Sequence, residues 1–329
     1  MINYLPDYEA LPALVCDYLH YIDAIKNRSQ KTVFEYSLNI KEFLVYVASD
    51  KKLCDMKNPD IRFLDADFFK NISLNDAYKY LSYCKNEKNN SPSTRSRKTV
   101  AIRQFFKYLS DNRGILENNP MKVLDTPKTK KSLPKYLTLD QSLDLLKAID
   151  GKNKERDYAI LTLFLNCGLR LSELVGLNYT DIKSDNSLRV VGKGNKERVV
   201  YLNKACISAI ERYMRVRPVD GVEDKNALFL SSRLKRISPK TVQYIVKTFL
   251  NKAGIGDLGL STHKLRHTAA TLMYQYGDAD VLVLKDILGH ENLSTTEIYT
   301  HIVDEQKKNA IENNPLADLN QADKRLKNK

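Results

Sequence analysis

The sequence predicts a mainly α-helical protein with one small antiparallel β-sheet, organised in two domains. Apolar residues recur every three or four positions along most of the chain, which is the spacing of amphipathic helices. Residues 188–202 contain two β-branched runs around a glycine-rich turn and predict a hairpin. Residues 125–136 are rich in proline and lysine, and a chain of 329 residues is long enough for a hydrophobic core on each side of them.

Residues 1–124 form the predicted N-terminal helical domain. Ser29 is a suitable N-cap for a helix whose apolar positions run from Val33 to Val47. A later stretch repeats this pattern and projects basic side chains away from its apolar stripe. These side chains belong to Arg97, Arg103 and Lys107. They indicate either a solvated basic face or contacts to a phosphate backbone, which would fix register without specifying bases.

The segment 125–136 is predicted to be an extended basic linker. It has little apolar surface to bury, and its prolines disfavour a helix. Its lysines include Lys128, Lys130 and Lys131. They either keep a flexible spacer soluble or follow the phosphates of a duplex held by both domains.

Residues 137–301 form the predicted second domain, which combines helices with the hairpin. Gly168 permits a tight turn that holds Arg170 between two apolar segments. A guanidinium group in such a place needs an anionic partner. Glu173, three residues later, is the structural candidate, and a substrate phosphate is the alternative.

The hairpin has the sequence LRVVGKGNKERVVYL and is strongly basic. Lys193 lies between two glycines at the turn. Lys196 and Arg198 follow it and are candidate DNA contacts. The GKG triplet has neither Walker spacing nor a following helix, so it does not indicate a nucleotide site. Ser238 and Pro239 predict the cap and first position of a later helix.

Residues 261–301 hold four of the five histidines of the chain. Ser261 or Thr262 can cap a helix on which His263 and Arg266 lie one turn apart, so that both can point into one cleft. The predicted apolar face of that helix consists of Leu265, Ala269, Leu272 and Tyr276. His267 follows His263 at the spacing of a zinc pair, but the glutamate of a zincin is absent and two cations intervene. No metal site is therefore predicted.

A second amphipathic helix is predicted to begin at Val281 and to end at Gly289, which places His290 just past a helix end. Ser294 or Thr295 can cap a short third helix that carries Tyr299. Two arginines, two histidines, a lysine and a tyrosine in these motifs form a set of groups suited to phosphodiester chemistry.

Composition favours an intracellular nucleic-acid partner. The formal net charge of +13 favours a polyanion, and the absence of a long apolar run makes DNA or RNA a better candidate than a membrane. The five cysteines are scattered without a CxxC pair, which favours reduced thiols. No secretory signal is recognisable at the N-terminus, so a cytoplasmic protein is expected.

Four segments in this order resemble the motifs of the tyrosine recombinases, most closely those of the compact Xer-like members. The segments are GLRLSELVGL, VVGKGNKERVVYL, THKLRHTAATLM and LGHENLSTTEIYTH. Their order and spacing match the family from about residue 137 to 301, and residues 1–124 look like its SAM-like core-binding domain. The resemblance implies a two-domain, C-shaped DNA clamp with a helical core-binding domain and an α+β catalytic domain.

The resemblance also implies a role for each catalytic residue. The six residues are Arg170, Lys193, His263, Arg266, His290 and Tyr299. Tyr299 would be the nucleophile, and the two arginines would bind the scissile phosphate. Lys193 would be the general acid, His263 an acid–base partner, and His290 a hydrogen-bonding stabiliser.

The implied activity is site-specific DNA recombination through a 3′-phosphotyrosyl intermediate and a Holliday junction, without metal, cofactor or ATP. The implied partner is double-stranded DNA with paired inverted-repeat half-sites. The implied assembly is a homotetramer, or a heterotetramer with a second recombinase, on two DNA sites, with or without an accessory protein. Residues 302–317, within the tail 302–329, match the helix that family members exchange between neighbouring subunits.

Two other functions are consistent with part of the same set of residues. A type IB topoisomerase uses similar catalytic groups but acts as a monomer, and the exchange helix argues against it. A non-catalytic architectural DNA-binding protein would not need Tyr299 and both arginines. The sequence leaves open whether the biological task is resolution of chromosome or plasmid dimers, or integration, excision or inversion of a mobile element.

Overall fold

The computed structural model describes residues 4–128, 135–192, 196–277 and 280–289 of the chain. These residues belong to two compact units that divide between Lys131 and Ser132. Both units are mainly helical, and the sheet in the described part of the chain is a two-stranded antiparallel hairpin. The predicted fold class of helices with a small antiparallel sheet is confirmed.

The first unit is a helical domain. Within residues 4–128 its α-helices are α1 (Ala13–His20), α2 (Gln30–Asp50), α3 (Ala66–Lys70), α4 (Leu74–Asn86) and α5 (Pro92–Lys107). Ser29 accepts a hydrogen bond from the backbone N–H of Thr32 at 3.3 Å, so the predicted cap of α2 is confirmed. The core of this unit is rich in aromatic rings. Those that are fully buried are Phe43, Phe69, Tyr80, Phe105 and Phe106.

The second unit combines seven α-helices with the hairpin within residues 135–192, 196–277 and 280–289. The helices are α6 (Leu139–Lys147), α7 (Lys154–Cys167), α8 (Leu171–Gly176), α9 (Lys204–Val216), α10 (Pro239–Lys252), α11 (Thr262–Tyr276) and α12 (Val281–Leu288). Helix α7 packs against both α9 and α11, and it supplies Ile160, Leu163 and Phe164 to the core. The predicted cap of α10 is confirmed, because Ser238 accepts from Thr241 at 3.1 Å and Pro239 is the first helical residue.

The hairpin consists of β1 (Ser187–Val191) and β2 (Glu197–Tyr201), with Val190 opposite Arg198. Alternation places Val190 and Val200 on the buried face, whereas Val199 and Tyr201 are exposed. Arg198 therefore lies on the face that is turned toward the core. The predicted hairpin is confirmed, and the turn with Lys193 lies outside the described residues.

Helices α11 and α12 carry the last described residues. Asp280 caps α12. Gly289 ends this helix, as the sequence predicts, and adopts the left-handed conformation. The predicted apolar face of α11 is wrong at Tyr276, which is 68% exposed. The buried face of the last turn instead follows the i, i+4 row from Ala270 to Tyr274, because α7 and α12 pack on that side of the helix.

No helix in the described part of the chain is long and apolar enough to cross a membrane.

Candidate active site

Arg170, His263 and Arg266 line one cleft of about 350 Å³ in the second unit. Arg170 occupies the N-cap position of α8, after the left-handed Gly168 (φ 58°) that ends α7. Both other residues lie in the first half of α11. The remaining lining residues are Leu169, Leu171, Ser172, Pro239 and Thr262. The fold therefore brings together three predicted catalytic residues from segments that are 93 to 96 positions apart in the sequence.

The carboxylate of Glu173 lies at the centre of a cluster of arginines. Its side chain is fully buried, and it accepts hydrogen bonds from the backbone N–H and from Nη1 of Arg170, both at 2.7 Å. Nη1 of Arg266 lies 3.8 Å from Oε2 of the same carboxylate. The contact to the backbone of Arg170 also fixes the first turn of α8, because a glutamate at the third helical position satisfies a free N–H at the N-cap.

Arg198 makes the most extensive contact with this carboxylate. Its Nη1 lies 2.5 Å from Oε1 of Glu173, its Nη2 lies 3.0 Å from Oε2, and its Nε donates to the Ile287 carbonyl at 3.2 Å. The side chain is 14% exposed. A guanidinium fork that meets both oxygens of a buried carboxylate is a strong and directional ion pair.

Backbone carbonyls accept further hydrogen bonds from the guanidinium groups of the two predicted phosphate-binding arginines. Nη2 of Arg170 donates to the Gly289 carbonyl at 2.7 Å, and Arg266 donates to the carbonyls of Gly168, at 2.7 Å, and of Leu288. Two of these acceptors lie at the C-terminal end of α12, where helix carbonyls lack intrahelical partners and attract cations.

Glycines allow the segments to approach the charged cluster closely. A Cβ on Gly289 would lie 3.0 Å from Cδ of Arg198, whereas one on Gly192 would make an ordinary van der Waals contact with Oε1 of Glu173 at 3.5 Å. A Cβ on Gly168 would lie 2.7 Å from the Leu288 side chain. Gly192 and Gly289 stand next to predicted catalytic residues, since Gly192 precedes Lys193 and Gly289 precedes His290 in the sequence.

The ionisation of Glu173 follows from its partners. Burial raises the pKa of its carboxyl, but the hydrogen bonds and charges of Arg198 and Arg170 outweigh burial, and the pKa lies below its ordinary value. Glu173 is thus an anion at neutral pH. Three guanidinium groups surround this one carboxylate, so the cluster keeps an excess of positive charge that favours an anionic ligand in the cleft.

The two histidines of α11 touch each other. Nε2 of His263 lies 3.1 Å from Nε2 of His267, and the rings meet edge to face. Burial, followed by the charges of Arg266 and Arg170, lowers the pKa of His263. Burial and the neighbouring His263, Arg266 and Lys264 lower the pKa of His267 to about 4. Both rings are therefore neutral at pH 7, and His263 at the cleft can accept a proton.

Comparison with known proteins identifies the family. The Phage integrase family model matches residues 135–306, and the model of the phage integrase N-terminal SAM-like domain matches residues 15–113. The chain belongs to the phage integrase family. It is 49% identical over 310 residues to Tyrosine recombinase XerC of Caldanaerobacter subterraneus subsp. tengcongensis, covering 93% of this chain and 88% of that protein. Tyrosine recombinase XerC of Psychromonas ingrahamii is 34% identical over 297 residues, with 89% and 93% covered.

Solved structures support the fold of this integrase-family chain. The XerH site-specific recombinase bound to palindromic difH substrate aligns with a TM-score of 0.69 and 22% identity, covering 91% of this chain and 84% of that chain. A λ integrase (75–356) dimer bound to a COC′ core site aligns with a TM-score of 0.61 and 19% identity, covering 86% and 96%. The chain is a Xer-like tyrosine recombinase, an enzyme that breaks and rejoins DNA site-specifically.

The other predicted site residues of this recombinase fall into two groups. Lys193, His290 and Tyr299, with Lys130 and Lys131 of the linker, lie outside the described residues. Arg97, Lys107, Lys128 and Lys196 are exposed. Arg103 is half-buried and donates from Nη1 to the Leu124 carbonyl at 3.4 Å. Their assignment to DNA contacts stays a prediction.

The sequence predicts Arg198 as a DNA contact on the basic hairpin, whereas in the structure its guanidinium group points inward to Glu173. Arg198 shares the buried face of Val200, two residues later, but the neighbouring Val199 is equally apolar, so the sequence does not decide which face of the strand is buried. Glu173 was considered as a structural partner of Arg170, and its contacts with two further arginines were missed. Among the described residues, no group of three or more histidine, cysteine or acidic side chains could hold a metal ion.

Proposed function

We propose that the cleft lined by Arg170, His263 and Arg266 binds the scissile phosphate of a recombination site and that Tyr299 attacks it. The observation that carries this proposal is the convergence of these three side chains on one cleft, with both guanidinium groups held by backbone carbonyls or by Glu173. Two arginine forks present permanently charged donors to the nonbridging oxygens, where negative charge accumulates in the transition state. Such a site does not require a metal ion to stabilise that charge.

In the proposed cleavage step, the phenolic oxygen of Tyr299 forms a bond to phosphorus and the bond from phosphorus to the 5′-oxygen breaks. The tyrosine proton passes to His263, which is neutral at pH 7 because burial and two nearby guanidinium groups lower its pKa. Lys193 donates a proton to the leaving 5′-oxygen, and His290 donates a hydrogen bond to the phosphate. The product is a 3′-phosphotyrosyl link that conserves the energy of the phosphodiester.

Religation reverses these steps with the free 5′-hydroxyl of a partner duplex as the nucleophile, so ATP is not needed. Exchange of one strand pair yields a Holliday junction, and exchange of the second pair completes recombination. The proposed assembly is a tetramer on two duplexes with inverted-repeat half-sites, built from this chain alone or with a second recombinase. We place this activity in the cytoplasm as part of the proposal. The relatives named XerC favour a role on chromosome or plasmid dimers, and integration, excision or inversion of a mobile element uses the same chemistry.

The test is to recover DNA that becomes covalently attached to the purified protein from the sheared genome of its host. After denaturation and protease digestion, the trapped fragments are sequenced. We expect reads to accumulate at one inverted-repeat site, whose genomic position identifies the task. Tyr299→Phe should abolish the adduct and keep DNA binding, whereas Tyr201→Phe, at a tyrosine that is 79% exposed on the hairpin, should retain the adduct. Adduct formation by Tyr299→Phe would overturn the proposal.

A further inference from the structure

Arg198 uses all three of its guanidinium nitrogens inside the protein. Nη1 and Nη2 meet the two oxygens of Glu173, and Nε donates to the Ile287 carbonyl. With 14% of its side chain exposed, the group has little surface left for a DNA phosphate. Its location is thus that of a structural cation beside the cleft, although it belongs to a basic hairpin.

The three arginines do not hold Glu173 equally. Arg198 contacts both carboxylate oxygens, Arg170 contacts Oε1 through one nitrogen of its side chain, and Arg266 stands 3.8 Å away. Arg170 is also 35% exposed and lines the cleft, so its side chain has room to turn. The arginine that binds the carboxylate most completely is therefore the one that does not line the cleft.

A phosphate in the cleft would compete with Glu173 for Arg170 and Arg266. When those side chains turn to the phosphate, a fully buried carboxylate needs another counter-charge, because an unpaired buried charge is strongly unfavourable. Arg198 and the backbone N–H of Arg170 can supply it without moving.

We propose that Arg198 is a positioning residue of the recombinase active site, which keeps Glu173 paired and fixed so that Arg170 and Arg266 can bind the scissile phosphate. This inference rests on the proposed function of those two arginines. Arg198 acts on the reaction through Glu173 and does not contact DNA.

Arg198 also connects the segments that lead to two other predicted catalytic residues. It lies on β2, which follows the turn of Lys193, and it binds Ile287 three residues before His290. Gly289 packs against its side chain, with no room for a Cβ at normal contact distance from Cδ. Loss of this side chain would remove the hydrogen bond from the hairpin to the end of α12 and the bidentate partner of Glu173.

The experiment compares Arg198→Gln, Arg198→Lys and Arg189→Gln in the full-length protein. Arg189 is the matched control, since it lies on the same hairpin and its guanidinium group pairs with Asp181 and Glu197 instead of Glu173. The measured quantities are the single-turnover rate of covalent adduct formation on a nicked duplex that carries the recombination site, and the affinity for that duplex as a function of salt. Circular dichroism verifies that each variant is folded.

We expect Arg198→Gln to slow adduct formation at saturating protein by about a hundredfold, because a small displacement of positioned groups has effects of that size. Its DNA affinity and salt dependence should match those of the wild type. Arg198→Lys keeps the charge without the bidentate geometry and should give an intermediate rate. If Arg198→Gln does not fold, the Arg198→Lys rate decides the question: a rate equal to that of the wild type would overturn the inference.

A double-mutant cycle and a pH profile separate positioning from general stabilisation. If Arg198 acts through Glu173, its replacement should add little to the effect of Glu173→Gln, so the double variant should be nearly as active as Glu173→Gln alone.

The charged groups that face Glu173 in the described part of the chain are Arg170, Arg198 and Arg266. Removing Arg198 weakens the hydrogen bonding that keeps the carboxyl of Glu173 ionised. The acidic limb of the pH profile of adduct formation should therefore move to higher pH in Arg198→Gln. It should stay in place in Arg189→Gln.

Four outcomes would contradict these expectations. A wild-type rate in Arg198→Gln, or fully additive effects in the cycle, would overturn the inference alone. A normal rate at saturation with weaker binding and a salt slope reduced by about one would identify Arg198 as a phosphate contact. Absence of an adduct in the wild type and in Arg189→Gln alike would overturn the proposed function itself.

Discussion

Glu173→Gln is expected to destabilise the second unit strongly, because three arginines share the carboxylate that it removes. The carboxylate is fully buried and meets Arg170 and Arg198 at hydrogen-bonding distance. The amide of glutamine is uncharged and offers one acceptor oxygen, so the substitution leaves the buried guanidinium groups without their counter-charge. Removing one partner of a buried ion pair costs about 3–5 kcal/mol, and we expect a loss of this size in the free energy of unfolding.

The assay must report the second unit separately from the first. Urea titration with pulsed hydrogen exchange and mass spectrometry does so, because peptides from residues 137–277 reveal the unfolding of that unit. The matched control is Glu197→Gln, which removes an exposed carboxylate of the hairpin that pairs with Arg189 at 3.2 Å. Exposed pairs contribute about 0–1 kcal/mol, so the control should be nearly as stable as the wild type. A loss below about 1 kcal/mol in Glu173→Gln would refute the reasoning.

The stability that Glu173 contributes depends on pH in a defined way. The pKa of Glu173 is lower in the folded protein than its ordinary value, so its contribution to stability is fully present above the unfolded pKa of about 4.3 and is lost as pH falls through the folded pKa. The stability difference between wild type and Glu173→Gln should therefore be constant from pH 7 to about 5 and shrink at lower pH. A difference that grows on acidification would contradict the assignment.

Three further predictions concern the cleft and its surroundings. Arg266→Ala should slow adduct formation by about a hundredfold or more, because it removes a buried donor to the phosphate, and an unchanged single-turnover rate would contradict this. Gly289→Ala should destabilise the second unit more than Gly254→Ala in the urea assay. Both glycines have positive φ, but a Cβ at 289 would also lie too close to the Arg198 side chain, whereas one at 254 meets nothing within 4 Å. The His267 ring, with its pKa near 4, should show no titration of its NMR signals between pH 8 and 5.5, and a midpoint near 6.5 would show that its surroundings do not keep it neutral.

Local signals in the sequence are sufficient to predict most of the secondary-structure elements. The caps at Ser29 and Ser238, the hairpin and the glycine that ends α12 depend on interactions within a few residues, which the chain itself specifies. The buried side of α11 was less predictable, because the choice between Tyr274 and Tyr276 depends on which neighbours pack against the last turn.

The charged cluster depends on contacts between distant segments, which no local pattern encodes. Spacing within α8 suggested the pairing of Arg170 with Glu173, and the alternative of a substrate phosphate stayed open. The convergence of Arg198 and Arg266 on the same carboxylate joins residues from three separate motifs. Val199 and Val200, which follow Arg198, are both apolar, so the sequence does not show which of them is buried and which face Arg198 shares.

The most direct test of the account is to identify the residue that carries the DNA. The covalent adduct is digested with nuclease and trypsin, and the modified peptide is located by mass spectrometry. Cleavage after Lys285 and Lys307 yields a peptide of residues 286–307 in which Tyr299 is the sole tyrosine, so the assignment is unambiguous. We predict a nucleotide remnant on that peptide, attached through a 3′-phosphate. A remnant on any other peptide, or one attached through a 5′-phosphate, would contradict it.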